Sequence, residues 1–600
     1  MSGYMGKILD VDLSRNSYKI LDLDMDIAKR FIGGRGLGAY LLWERLPAHA
    51  DPLDKDAPLM FLLGPISGLL PGGAQLCTFF KSPETGVTLC HSIVGSHFGV
   101  ELKSAGFDGI IITGKAEKPV YLKIFDHDIS FEDASHLWGK STFNTEKILK
   151  KELNNHRVKM LSIGIAGENG VRFAGIQHDY YHSAARGGSG CLMGSKNLKA
   201  IVVKGSKGFD VAEPEEFYKV YNKIFEMLKR ARTEERRGYY LVRWGSSAGS
   251  MWHSDVSELD VKNYREAHWE DIDKISGFEF ERKSKVKNRG CYLCPFSCMQ
   301  LGVIRDGKHA GRTATPDFDS TSTIGAGCLV TDHDGLIYLN SLGDELGIDN
   351  ISLGNVTSFT MECYERGIIT KDDLGGIDLT WGNVEAMEAL WNLIVQRKGI
   401  GEILSLGVKK AAETFGKGAE HFAMHCKGLE FGAYATQAKH ERGLQFAVGD
   451  RGGCHHYGLT IKEQNHRVMA DSLLVCTWHR HFITPDIYMD ALNAATGFNF
   501  AHSDWDLLAE RFLILARAYN LREGIRPLKD DILPLRVHND PLTSGPQKGA
   551  VYPIEKFKKD RENWYKIRGM NSEGIPTKEH LKELDLEFVI ETLEKEGLYK

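Results

Sequence analysis

The chain has 600 residues, 42% of them apolar and 26% charged, with a formal net charge of −5. Such a length exceeds a single hydrophobic core, so about three domains are expected. The near-balanced charge argues against a nucleic-acid partner, and no segment reads as a membrane span: the longest apolar stretch, 57–70, is interrupted by Gly-Pro and too short.

The first residues lack a basic region followed by an apolar core, so no signal peptide is expected and the chain reads as cytoplasmic. Through residue 205 or so, short apolar or alternating runs recur between glycine-bearing turns. GKILDVDLS, PLMFLLG, DGIIITGKA, PVYLKIF, VKMLSIGIA and LKAIVVKGS each predict a strand. From about residue 212 the period changes to that of helix. The acidic EPEE opens a helix from 214, and further amphipathic helices are predicted at 383–397, 401–415 and 505–521. KRARTEERRG (229–238) alternates in sign and reads as a solvated helix face. The fold class is therefore α+β. A β-rich N-terminal domain (1–208) that cradles a large cofactor precedes two mainly α-helical domains, 209–425 and 426–600.

Eleven scattered cysteines, an odd number, do not frame a disulfide scaffold. Cys291, Cys294 and Cys298, however, form a C-x2-C-x3-C array in NRGCYLCPFSCMQLG. No second C-x2-C completes a zinc site, whereas an iron–sulfur cubane accepts three clustered thiolates and one remote. Cys328, Cys363, Cys426, Cys454 and Cys476 are the candidates for the fourth ligand, and spacing alone does not choose among them.

Other segments resemble the tungsten-containing aldehyde:ferredoxin oxidoreductase family. DELGIDNIS (344–352) and DSLLVC (471–476) are similar to its two pterin motifs. FIGGRGLGAYLL (31–42), KSPETG (81–86), HFGVELKSAGFDGIIITGKA (97–116) and SAARGGSGCLMGSKNLKAI (183–201) resemble its N-terminal domain, and GDRGGCHH (449–456) a stretch near its active site.

The resemblance implies a tungsten (or molybdenum) bis-pyranopterin with no protein ligand to the metal, and a [4Fe–4S] cluster on Cys291, Cys294, Cys298 and Cys476. Asp344, Ile348 and Asp349 match one pterin motif, Asp471 and Thr477 the other, with Leu474 where the pattern has glycine. A carboxylate suits the amino and ring N–H donors of a pterin. Arg186, Gly187 and Gly188 are expected to cradle the pterin phosphates. Mg2+ would bridge those phosphates through the carbonyls of Ile93 and Gly187, with Gly95 among the cofactor contacts. Gln75 stands where a phosphate-facing arginine is common, so that charge is absent or comes from Arg35.

The same resemblance places Asp319, in TPDFDSTSTIGAG, at the catalytic carboxylate position, one methylene shorter than the usual glutamate, with Asp317 as second choice. His455 falls at the histidine position. Standing alone, Asp-Phe-Asp reads as a solvated turn, and Cys328, Cys363 and Cys454 read as buried small hydrophobes. HRHF (479–482) is expected to line the cluster or the substrate access. A buried carboxyl and an imidazole suit general acid–base work. The implied reaction is oxidation of an aldehyde with water, electrons passing through the cubane to ferredoxin or an iron–sulfur electron-transfer subunit. Two other readings stay open: a bis-pterin subunit of an aromatic acyl-CoA reductase complex, and a cluster-only electron-transfer subunit. The span from His455 to Asp471 is shorter than the pattern, which suggests a wider channel and a bulky aldehyde; homo-oligomerisation is compatible with everything above.

Overall fold

The computed structural model describes residues 2–599. Its N-terminal third folds into two mixed six-stranded sheets. The first runs, in spatial order, Ser17–Asp22, Lys7–Asp12, Gly109–Thr113, Leu59–Leu62, Leu76–Lys81 and Leu89–Val94. The second runs His182–Ala184, Ile176–His178, Lys159–Ser162, Leu198–Lys204, Val120–Phe125 and Asp128–Asp133. One pairing in each sheet is parallel, Lys7–Asp12 with Gly109–Thr113 and Val120–Phe125 with Leu198–Lys204. The uninterrupted apolar runs LMFL and LCTFFK belong to strands covered on both faces, as unbroken hydrophobic strands require.

The two sheets meet at their edges. Ser92, on the edge strand Leu89–Val94, donates its hydroxyl to the carbonyl of Arg186 at 3.2 Å, just beyond the edge strand of the second sheet. The functional cavity lies at this seam.

Helices dominate from Pro214 onward. Pro214–Glu234, Val384–Gln396 and Asp504–Arg522 form where the period predicts them. The helix predicted at 401–415 is instead two, Ile400–Leu404 and Val408–Phe415, because Gly407 turns to φ +90° between them. The run 229–238 is likewise no single helix face: one helix ends at Glu234 and another, Arg236–Trp244, begins. Arg232 within it donates to the Pro295 carbonyl at 2.8 Å, so this run touches the cysteine loop as well as solvent. The helical region also contains a small sheet, Lys285–Arg289, Met299–Val303 and Thr313–Ala314, whose first connection is the cysteine array.

The largest apolar cluster joins N-terminal strands to C-terminal helices, with Phe79 and Leu42 in common with Leu473 and Phe512. A second cluster packs residues 259–433 against Ala166–Cys191. Hence the first sheet and the last third of the chain fold as neighbours. No helix is long and apolar enough to cross a membrane among the described residues.

Candidate active site at the seam of the two sheets

A cavity of about 420 Å³ opens at the seam. Its walls include Gln75, Ile93, Gly95, Arg186, Cys291, Cys298, Asp319, Asp344, Ile348, Asp349, His455, Asp471, Cys476 and Thr477. Sequence positions from 75 to 477 thus converge on one space.

The cysteine array forms a tight knuckle in which Leu293 and Ser297 adopt φ +55° and +47°. Cys476 is held opposite it by its own N–H, which donates to the Gly72 carbonyl at 2.9 Å. The turn Thr477–His481 follows, and His479 presses so closely on Gly72 that no Cβ fits there. His479 Nε2 lies 3.7 Å from Cys294 Sγ, so this histidine lines the cysteine site. Burial raises the Cys298 thiol well above its usual range, and the neighbouring Cys476, Cys291 and Cys294 raise it further. Cys476 is pushed up to about 12 by burial and then by Cys294 and Cys291. The four sulfurs therefore face one another. No group of three or more His, Cys, Asp or Glu side chains among the described residues is placed to hold a single metal ion, whereas in a cubane each thiolate takes its own iron. Cys328 and Cys426 bond elsewhere, to the carbonyls of Thr323 and Ile532. Cys454 departs from the inert role expected of it: it lines the cavity and its sulfur accepts from Arg451 Nη2 at 2.9 Å.

Asp344 lies in the last turn of the helix His333–Leu346 and presents a carboxyl that accepts no hydrogen bond among the described residues; burial, then Asp317, raises its pKa well above normal. Asp349 caps the next helix, accepting from the Ile351 N–H at 3.1 Å, and also pairs with Arg186 at 3.0 Å. Asp471, near the end of the helix Ile461–Leu473, lies 3.7 Å from Arg35 and 3.4 Å from His91. The missing glycine of that motif proves no obstacle, since Leu474 takes φ +60° as the C-cap.

The phosphate cradle expected at Arg186–Gly188 is changed by the structure. The Arg186 guanidinium is committed to Asp349, to Ser352 Oγ at 3.2 Å and to the Glu430 carbonyl at 2.5 Å. The Gly187 N–H donates to Glu84 Oε2 at 3.0 Å, so a protein carboxylate already occupies that amide. Gly187 and Gly188, at φ +84° and +90°, instead serve tight passage past Cys90 and the Arg172 carbonyl. Arg35 binds Asp450 at 2.5 Å and is not free to replace the charge absent at Gln75. A second arginine that lines the cavity beside Arg186 is Arg451, which directly follows the Gly-Asp of GDRGGCHH and was not among the expected site residues.

Asp319 and His455 come together, with Oδ2 and Nε2 3.5 Å apart. Asp319 Oδ1 and His455 Nδ1 have no protein partner. Asp319 sits where a short helix runs into the π-helix Thr321–Ala326, a geometry that often marks functional sites. Burial, followed by Asp317, raises its pKa; Arg186 opposes. Burial lowers His455, and His456, Arg442 and Arg467 lower it further, so the imidazole is neutral at neutral pH. Gly432 makes room for this ring, since a Cβ there would meet Nδ1 at 2.5 Å. Asp317, the second choice, is occupied as a helix cap, accepting from the Ser320 N–H at 2.8 Å.

The residues present fit a polar redox cofactor. Orphaned buried atoms (Asp319 Oδ1, His455 Nδ1, Arg186 Nε) and an unpartnered Asp344 carboxyl give both donors and acceptors to a bound ring system, beside four convergent thiols.

Comparison with known proteins gives concordant matches. The model for aldehyde ferredoxin oxidoreductase, N-terminal domain, matches residues 8–205, and that for aldehyde ferredoxin oxidoreductase, domains 2 & 3, matches 220–586. The tungsten-containing aldehyde ferredoxin oxidoreductase of Pyrococcus abyssi is 36% identical over 617 residues, covering 98% of this chain and 100% of that protein. The aliphatic sulfonate oxidoreductase, WOR-like subunit, of Pyrococcus furiosus is 35% identical, with 98% and 97% covered. Among solved structures, the active site complex BamBC of benzoyl coenzyme A reductase in complex with 1,5-dienoyl-CoA superposes with a TM-score of 0.87 at 26% identity, covering 100% of this chain and 99% of that one.

Proposed function

The chain belongs to the aldehyde ferredoxin oxidoreductase family, and from that premise we propose that it oxidises an aldehyde to the carboxylic acid with water and delivers the electrons to ferredoxin or an iron–sulfur subunit. The observation that carries this reading is the convergence of three of the four clustered thiols (Cys291, Cys298 and Cys476), the two motif aspartates and the Asp319–His455 pair on one cavity, with Cys294 beside Cys298.

Cys291, Cys294, Cys298 and Cys476 would hold a [4Fe–4S] cluster, and Asp344, Ile348, Asp349, Asp471 and Thr477 a tungsten or molybdenum bis-pyranopterin. Arg451 supplies the cation beside its anionic groups, and the Ile93 and Gly187 carbonyls would hold Mg2+. When bound, the pterin metal supplies two-electron redox chemistry and the cluster releases the electrons singly.

The chain's own work is proton handling. Oxidising an aldehyde with water releases two electrons and two protons. Asp319 Oδ2, in its ionised form, accepts the proton of the attacking water, its affinity raised by burial. His455 Nε2, 3.5 Å away and held neutral, polarises the carbonyl oxygen as the donor tautomer. Burial of the pair keeps bulk water from bypassing it.

A second reading, a subunit that reduces an aromatic acyl-CoA ring, is favoured by the fold likeness to the benzoyl coenzyme A reductase complex. One preparation separates the readings. Anaerobically purified protein is analysed for metals and assayed by dye reduction with aldehydes and by oxidation of reduced dye with aromatic acyl-CoA. About four irons and one tungsten or molybdenum per chain, with aldehyde-dependent turnover, are expected. Iron without tungsten or molybdenum would leave only a cluster-bearing electron-transfer subunit.

A further inference from the structure

We propose that the rim of the cysteine loop is a docking face for a small, acidic one-electron carrier. The proposal rests on the reading above, in which electrons leave through a cluster on the four convergent cysteines.

Cys294 is partly exposed without lining the cavity, and the loop residues beside it reach solvent, so a group held by the four cysteines lies beneath this surface. Between Cys291 and Cys294 the chain offers two apolar side chains to water, Tyr292 at 36% and Leu293 at 42% exposure. Leu293 does so with a left-handed backbone, a conformation that costs a non-glycine residue about 1–2 kcal/mol. The left-handed turn serves the cysteine knuckle, but the leucine side chain it presents is left exposed, and an apolar knuckle inside a polar rim has the anatomy of an interface.

The rim is basic. Arg232 reaches Pro295 of the loop at 2.8 Å. Arg237 donates to the His481 ring at 2.7 Å, and Arg480 to the Thr477 carbonyl at 2.6 Å, both in the turn after Cys476. Lys287 is exposed on the strand that leads into Cys291. These four cations contact carbonyls, a ring or water, and none forms an ion pair with a carboxylate among the described residues. Of the nearby acids, Asp179 is taken by Arg289 and Glu281 by Arg243, leaving the exposed Glu234 and Glu235 at the helix junction and Glu463, which lies near Arg480 without pairing with it. His481 adds no charge, because burial together with Arg480 and Arg237 holds it down to about 3.

Crowded like charges without counter-ions are unfavourable in isolation and favour an anionic partner. A chain with net charge −5 has no general reason to be basic at this point. Charge complementarity therefore selects an acidic carrier, and the single-electron chemistry of a cubane selects a one-electron one. Two carriers are reduced in succession per aldehyde oxidised.

The test uses the holoprotein, an acidic bacterial-type ferredoxin and benzyl viologen. The ferredoxin kcat/KM is expected to fall about tenfold between roughly 50 and 200 mM salt, as screening removes steering. Arg237→Glu and Lys287→Glu should each raise the ferredoxin KM about three- to tenfold and leave the viologen rate unchanged, with Lys371→Glu as a silent control. Calorimetric titration of oxidised ferredoxin into each variant reads the same face without turnover, so a failure of aldehyde oxidation and a failure of docking are distinguishable. Salt-independent ferredoxin binding, wild-type affinity in both charge-reversed variants, or a homodimer closed over this face by light scattering would overturn the proposal.

Discussion

The two aspartate motifs that face the cavity solve one packing problem in opposite ways. Each ends a helix with a left-handed cap, Gly347 at φ +71° and Leu474 at φ +60°. At Gly347 the crowding is within the motif, because a Cβ would stand 2.5 Å from the Gly164 amide nitrogen. At the second motif the glycine lies on the other side of the contact: Gly34 passes the Asp471 carbonyl and the Leu474 side chain too closely for any Cβ. A glycine is needed at each crossing, but not on a fixed strand of it.

Their electrostatics differ too. Asp344 shares its wall with Asp317 and Asp319 and has no cationic partner, while Asp471 is buried among Arg35, Arg451 and Arg467. One wall is rich in carboxyls and suited to protons; the other is rich in arginines and suited to anions.

The division can be broken experimentally. Its sharpest test is Asp319→Asn, expected to lower kcat about 10²- to 10⁴-fold with metal content unchanged. Wild-type turnover in that variant would move the proton chemistry to the arginine wall. Next comes Asp450→Asn, which removes the nearer of buried Arg35's two carboxylates, at 2.5 Å, and leaves Asp471 at 3.7 Å; it should cost about 2–3 kcal/mol in denaturant unfolding, with Gly347→Ala comparable. Although burial opposes it, Arg35, His91 and Arg451 hold the Asp450 carboxyl below its usual range. Its stabilisation is thus present above about pH 4 and lost as pH falls through the depressed value, and the variant should lose that acid transition.

Gly347→Ala should cost about 2–4 kcal/mol, through the left-handed backbone and the Gly164 contact. Leu474→Gly should cost less, about 1–3 kcal/mol, since relief at the cap offsets part of the lost packing. A larger loss from Leu474→Gly would reverse the comparison. The smallest effect is expected for Asp344→Asn in cofactor-free protein. The Asp344 carboxyl is raised, so ionisation disfavours the fold as pH climbs. The variant should melt higher than wild type at neutral pH, with the gain gone below about pH 4, where the unfolded carboxyl is also protonated.

The six strands predicted from sequence form because each is an apolar run bounded by glycine turns, and helices such as Asp504–Arg522 form because their period is unbroken. Polar, exposed structure was less legible. The strand KVKNR has no apolar face to announce it, yet it carries the cysteine loop. Asp319 and His455 were found through resemblance, since a contact across 136 residues leaves no local trace. The commitment of the Gly187 amide to Glu84 was equally invisible, because it depends on two sheet edges meeting. Arg451 was present in a quoted motif, and its charge beside a cysteine was a usable signal.

One consequence concerns loop closure. Cys298 and Cys476 stand 178 residues apart, and closing a flexible loop of that length costs about 4–5 kcal/mol of chain entropy. Protein contacts help to meet that cost, since the Cys476 amide donates to the Gly72 carbonyl at 2.9 Å and His479 is wedged beside it. The closure of this long loop therefore rests on backbone and ring packing as well as on thiolates, and a change at Gly72 or His479 should loosen it even with all four cysteines intact.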